Sequence, residues 1–181
     1  MYASPVIKST VVLLLIQHAT AATLTVNTTA DEFNAGGSCS VREAIQAANT
    51  NQNFGGCVGS GSYGLADIIN VPAGNYLLTR YGSYNDSNTS GDFDIAGNVR
   101  IVGAGAPQTV IRGDGESDRI FHILSGNVTI EGMILRDGFM VSGNAGGGIR
   151  SEPGSISTLN RLVIGPNTAD GNGCDQPHSG E

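Results

Sequence analysis

The chain has 181 residues, with 16 acidic against 9 basic residues and a net charge of −7. That balance argues against nucleic acid and anionic membranes as partners, since both repel an acidic surface. Glycine is abundant (27 residues, with no collagen period), only 14% of residues are charged and Trp is absent, which points to many tight turns between short strands.

Residues 1–22 carry one positive charge, Lys8, then the apolar run Val11-Val12-Leu13-Leu14-Leu15-Ile16, then the small residues Ala19-Thr20-Ala21-Ala22. This order is that of a secretory signal peptide with an A-x-A-like cleavage site. A membrane anchor is the alternative, but the run is far shorter than the roughly 20 residues that span a bilayer. No later stretch of the sequence is long enough for a membrane span. Removal of residues 1–22 takes away only Lys8 among the charges, so 8 of the 9 basic residues then face 16 acidic ones, net −8. The remaining chain, about 160 residues, is enough for one core and one domain, expected over 23–181.

Residues 23–28 alternate as a strand, with Leu24 and Val26 on one face. The period then changes. Ser40-Val41-Arg42-Glu43 reads as a capping box, and Val41, Ala44, Ile45 and Ala48 follow at i, i+3, i+4 and i+7, one apolar stripe on a short helix over about 40–50. The helix is expected to end near Asn49 or Asn51, ahead of Gly55-Gly56. Of the cysteines Cys39, Cys57 and Cys174, the first two flank this helix and its glycine-rich exit. They are expected to form a disulfide in an oxidising compartment, leaving Cys174 free or paired outside the chain. A reactive thiol is the competing reading, but no His or basic cluster stands nearby in sequence to lower a thiol pKa.

From Asp67 onward short apolar runs alternate with Gly, Pro or Asn: 68–71, 76–78, 99–102, 110–111, 120–124, 128–130, 133–135 and 162–164. The polar stretch 80–91 reads as a loop, and 165–181 as a polar tail without Val, Ile, Leu, Met or an aromatic residue. There is also an internal repeat. Gly97-Asn98-Val99-Arg100-Ile101-Val102-Gly103 matches Gly126-Asn127-Val128-Thr129-Ile130-Glu131-Gly132 at five of seven positions, 29 residues apart. A weaker third copy begins at Gly154, offset by 28, with Ile156 in the place of Val128. Repeats of about 20–50 residues built from strands mean stacked units, so the fold class expected is all-β, a parallel β-solenoid whose inward Val, Ile and Leu stack on counterparts one coil away.

Cys39-Ser40-Val41-Arg42-Glu43-Ala44-Ile45, followed by Gln46-Ala47-Ala48-Asn49, resembles the CSLREA motif of a family of exported proteins with pectin-lyase-like right-handed parallel β-helices. The resemblance continues through Asp67-Ile68-Ile69, Val71-Pro72-Ala73-Gly74, Gly91-Asp92-Phe93-Asp94-Ile95, Ile101-Val102-Gly103-Ala104-Gly105 and Arg119-Ile120-Phe121-His122-Ile123. It covers nearly the whole mature chain, reaching Gly146-Gly147-Gly148-Ile149 and Asn167-Thr168-Ala169; Val41 stands where the family usually has Leu. It implies an exported, surface-displayed or adhesin-like β-helix. The helix would then lie across the first coil and cover strand edges that would otherwise recruit other chains. Val41, Ala44, Ile45 and Ala48 should face that coil, with Ser40, Arg42 and Glu43 as capping and ion-pairing groups.

Other motifs are weaker. Asn167-Thr168-Ala169-Asp170-Gly171 is superficially like a polygalacturonase motif, but lacks the partner acids and the Gly-His-Gly that glycoside hydrolysis on this fold would need. Asp86, Asn88, Ser90 and Gly91 fall at positions one, three, five and six of an EF-hand-like loop, with Asp92 and Asp94 adding charge, yet the closing Glu is replaced by Gly97. A solvated loop is the simpler reading, with a weak calcium site near 86–94 as the alternative, and no metal ligand is assigned. His122, between Phe121 and Ile123, is expected to point outward as a lone, structural His with no carboxylate in register. Gly103-Ala104-Gly105 is not a dinucleotide loop, since no helix follows. Tyr81 and Tyr84 are read equally as sugar-stacking rings or ordinary loop tyrosines.

No catalytic residue and no cofactor are therefore expected. The function expected is an exported, non-catalytic module for adhesion, display or scaffolding, with surface glycans or a further β-helix segment as partners. A polysaccharide lyase or glycoside hydrolase of the pectin-lyase-like fold, with its catalytic coils missing or unrecognised, is the alternative; turnover abolished by changing Asp137 or Asp170 would favour it. Because nothing after Ile164 could cover a final coil, the solenoid is also expected to continue in a further segment or to need a partner.

Overall fold

Period-two alternation sends every second side chain of a strand to the same face; here that face is the inside of a coil. The computed structural model describes residues 20–82, 85–114, 118–140 and 146–169. The expected leader lies almost wholly outside them, as do Tyr84, Asp170 and Cys174. Ala21 and Ala22 already belong to the folded unit. Ala21 bridges to Ser62, and the buried Ala22 donates its N–H to the carbonyl of Ser62 at 3.0 Å.

The chain forms β1 (Thr23–Thr25), α1 (Val41–Thr50), β2 (Asp67–Val71), β3 (Gly74–Leu77) and β4 (Phe93–Ala96). It continues through β5 (Val99–Gly103), β6 (Thr109–Arg112), β7 (Phe121–Ser125), β8 (Asn127–Glu131), β9 (Ile134–Arg136) and β10 (Phe139–Met140). It ends in β11 (Ile149–Ser151), β12 (Ile156–Asn160), β13 (Val163–Ile164) and β14 (Thr168–Ala169). Three stacked sheets make the walls, in the orders β1-β2-β5-β8-β12, β3-β6-β9-β13 and β4-β7-β11, and β10 pairs β14. Every pairing between these strands is parallel and joins one coil to the next. The fold is thus a parallel β-solenoid of about three turns with one short helix.

The core is a set of ladders. In the first wall Leu24 stacks on Ile69, Ile101, Ile130 and Leu159 in turn. In the second, Tyr76, Ile111, Leu135 and Ile164 do the same. In the third, Phe93 lies on Phe121, with ring centroids 5.5 Å apart, and Ile95 on Ile123. The members within the first three coils are buried, and each such side chain contributes about 2 kcal/mol through removal from water.

Two expectations are corrected by the register. The third copy of the repeat is not offset by 28: Ser157 lies against Val128 and Leu159 against Ile130, a spacing of 29, while Ile156 sits opposite Asn127 and points to solvent. A slip of one residue inverts the faces of a strand, and only this register puts Leu159 over Ile130. The segment expected as a polar tail from Gly165 begins in the solenoid, where Thr168 and Ala169 form β14 against Phe139 and Met140.

The repeat starts with Gly-Asn because it turns a corner. Gly126 has φ +90°, and a Cβ there would overlap the carbonyl of Gly97 in the coil below. The side chain of Asn98 accepts the N–H of Asn127 at 2.9 Å, tying successive corners together.

Helix α1 closes the end of the stack against β2 and β4. Ser40 accepts from the N–H of Glu43 at 3.2 Å while Glu43 accepts from the N–H of Ser40 at 3.1 Å, and Asn51 ends the helix in the left-handed conformation. The buried surface is wider than one stripe: Val41, Ala44 and Ile45 are covered, but so are Arg42, Glu43 and Ala47, and Ala48 is only half-buried. The reason is that the helix is packed on two sides. Gly55 lies against the side chain of Glu43, and Asp31, Asn88 and Asp92 close over Arg42. The Cys39–Cys57 disulfide joins cysteines 18 residues apart, and a loop of this size contributes about 3 kcal/mol when crosslinked.

Candidate functional site

The third wall carries a polar ladder on its outer surface. Since Phe121 and Ile123 point into the core, His122 points out, and the register places Asp94 beside it on one coil and Arg150 on the next. His122 is therefore not a lone histidine. Its Nε2 lies 2.8 Å from Oε1 of Glu152, and its Nδ1 lies 3.3 Å from Asp86 and 3.5 Å from Asp94. Outward direction here does not mean exposure. The loop before β4 folds over the strand and leaves His122 only 6% exposed, at the floor of a cleft.

That cleft, about 220 Å³, is lined by Asn85, Asp86, Asp92, Asp118, Arg119, His122, Arg150 and Glu152. Arg119 and Asp92 face each other at 3.6 Å, both nearly fully buried. Burial, reinforced by the charges of Asp94 and Asp118, pushes Asp92 up to about 8 against the opposing pull of Arg119 and Arg42. Burial also raises Asp94 to about 6, opposed by the backbone bond from Asn88 and by His122. Asp118 is raised for the same first cause, burial. Glu152 is held below the usual carboxylate range by the hydrogen bond from His122. The cleft thus sets carboxyls of raised and lowered pKa beside guanidinium groups.

Beside it lies a smaller hollow lined by Arg80, Tyr81, Asp114, Asp118 and Arg119, so that Asp118 and Arg119 form a wall shared with the cleft. The ring of Tyr81 is 73% exposed there. A second cavity of about 280 Å³, at the corner of Gly103 to Ala106 with Gly132, offers a single charged side chain, Arg161, already bound to Glu131 at 2.9 Å.

The loop over 86–94 is not an EF-hand. Asn88, left-handed and buried, spends its side chain on the carbonyl of Arg42 and the N–H of Asp94, and Ser90 accepts from Asn85. Only Asp86 and Asp94 turn to a common point, and that point is His122. The polygalacturonase-like segment is structural in its described part. Asn167 accepts from the N–H of Gly138 at 2.9 Å and donates to the carbonyl of Leu135. Asp137 is away from the cleft, bound to Arg112 at 3.2 Å.

The capping residues form a second polar centre, at the helix. Arg42 is fully buried with its guanidinium carbon 4.8 Å from the centre of the Phe93 ring; it binds both oxygens of Asp31 at 2.6 and 3.1 Å and donates to the carbonyls of Gly91 and Asp92. Asp31, unnoticed in the sequence, also accepts the N–H groups of Thr79 and Arg80. Its signal would have been the need of a buried guanidinium for a carboxylate.

No protein-family model matches the chain, and comparison with curated proteins and with solved structures found no match.

Proposed function

We propose that this protein is an exported β-solenoid module that binds neutral glycans and serves in adhesion or surface display. The observation that carries this reading is the exposed Tyr81 ring set against a polar cleft through the common wall of Asp118 and Arg119. An aromatic face stacks on the apolar side of a sugar ring, and adjacent carboxyl and guanidinium groups satisfy its hydroxyls. Acidic residues outnumber Arg119 and Arg150 in the cleft, so polyuronates are repelled and neutral sugars are favoured. Export is supported by the leader-like order of residues 1–22, by the similarity of residues 39–49 to the CSLREA motif and by the Cys39–Cys57 bond, which belongs to an oxidising compartment. Among the described residues no helix is long and apolar enough to cross a membrane.

Calorimetric titration with neutral and uronic oligosaccharides tests it. Saturable binding of the neutral set, weakened at least about tenfold (about 1.4 kcal/mol) by Tyr81→Ala and by Glu152→Gln, is expected. Failure of every neutral glycan to bind overturns the reading. So does release of reducing ends or unsaturated products that Asp92→Asn abolishes, which would make the protein a polysaccharide-cleaving enzyme.

A further inference from the structure

We propose that Asp86, Asp94 and His122 form a binding site for a divalent transition-metal ion of the zinc class, at the floor of the cleft. One ligand atom from each residue can be chosen so that all three lie within 4.8 Å of one another. The distances from His122 Nδ1 to the two carboxylates, 3.3 and 3.5 Å, match the roughly 3.3 Å edge of a tetrahedron whose ligands stand about 2.0 Å from zinc.

Two further features point to a cation. Asp94 is 1% exposed, and its Oδ1 is buried with no hydrogen-bond partner. The other oxygen, Oδ2, accepts the N–H of Asn88 at 2.8 Å, which fixes the carboxylate so that Oδ1 is turned toward His122. The opposite ring nitrogen of His122 is engaged by Glu152 at 2.8 Å. In the tautomer whose Nε2 donates to Glu152, Nδ1 offers a lone pair toward the two carboxylate oxygens, an assembly of acceptors only. A cation resolves it, and carboxylate–histidine–metal is the usual order in which such a ring is oriented. The imidazole ligand selects zinc-class ions over calcium or magnesium, which prefer oxygen donors. Asp86, on the exposed side, leaves the remaining coordination position open to the cleft.

The inference does not rest on glycan binding, because its probe is the metal alone. Chelator-treated protein without a polyhistidine tag is titrated with zinc chloride, and in parallel with calcium and magnesium chloride. One zinc ion per chain is expected, tighter than either alkaline-earth ion, with cobalt(II) in its place giving visible d–d absorption. Asp86→Asn, on an exposed loop where it cannot disturb the fold, should lower zinc affinity at least tenfold, His122→Ala should abolish binding, and Glu152→Gln should weaken it about tenfold through the ring it orients. Absence of zinc binding, binding that Asp86→Asn leaves unchanged, or a preference for calcium would overturn the proposal.

Discussion

The side chain of Arg42 shows how much a single position in the motif can hold. It joins the helix, the segment around Asp31 and the loop ahead of β4 through four hydrogen bonds of 2.6 to 3.1 Å, closed off from solvent. Lysine offers a point charge and cannot reproduce the fork that reaches Asp31 and two carbonyls together. Arg42→Lys is therefore expected to cost about 1–3 kcal/mol, the penalty for leaving buried carbonyls without a donor. A urea denaturation midpoint close to that of the parent would contradict this. Asp67 presents the reverse case, a carboxyl at the register position occupied by Val99 and Val128 in the next coils. Burial raises its pKa above 3.8, against the lowering effect of the N–H bonds from Ala22 and Gly64. A carboxyl whose folded pKa is raised favours folding fully only below its unfolded pKa, and that contribution is lost as pH rises through the folded value. Asp67→Asn keeps an acceptor for Ala22 without a charge to bury. It should be more stable than the parent at pH 7, with the advantage shrinking toward pH 4; a constant difference across that range would show that titration of Asp67 is not the cause.

At the level of elements, the corners decide the register. Gly126 takes a positive φ against the carbonyl of Gly97, so Gly126→Ala combines a strained backbone with a steric overlap and should cost at least about 1–3 kcal/mol. The corresponding change at Gly154, which has a positive φ but open space around a Cβ, should cost less; equal thermal shifts for the two variants would count against the steric argument. These corners were legible, because Gly97-Asn98-Val99 and Gly126-Asn127-Val128 repeat the same letters. So was the helix, whose cap and stripe are local. The cleft was not, although the means to find it lay in the repeat. Asp94 and Arg150 stand 28 positions before and after His122, one coil each way, yet along the strand His122 has only Phe121 and Ile123 as neighbours. Polar partners in a solenoid are found across coils, so scanning along one strand misses them. The roles of Asn49 and Asn88 were not legible, since they act on backbone: Asn49 holds the carbonyl of Asp94 and the N–H of Ala96, Asn88 the N–H of Asp94. Together they close the edge of β4 that faces the helix, which would otherwise present free ladder groups.

For the whole molecule, stability is passed from coil to coil, each burying its interior against its neighbour. The two ends of the described stack are unequal. At one end α1, the disulfide and Asn49 cover the coil; at the other, Leu159 and Ile164 continue the buried ladders yet are exposed, along with Ile156 and Val163. Among the described residues no strand pairs with the far edge of β12. An uncovered parallel edge beside apolar side chains is a template for another chain. The protein should accordingly associate through the coil of β12 and β13 as concentration rises. Leu159→Lys with Ile164→Lys places two charges on positions that are half-exposed in the monomer but would be buried in the associated form, so the cost falls mainly on association. Sedimentation equilibrium is expected to show a mass that grows with concentration for the parent and stays at one chain for the double variant. A parent that remains monomeric throughout would mean that this coil is capped by contacts other than those of the described strands.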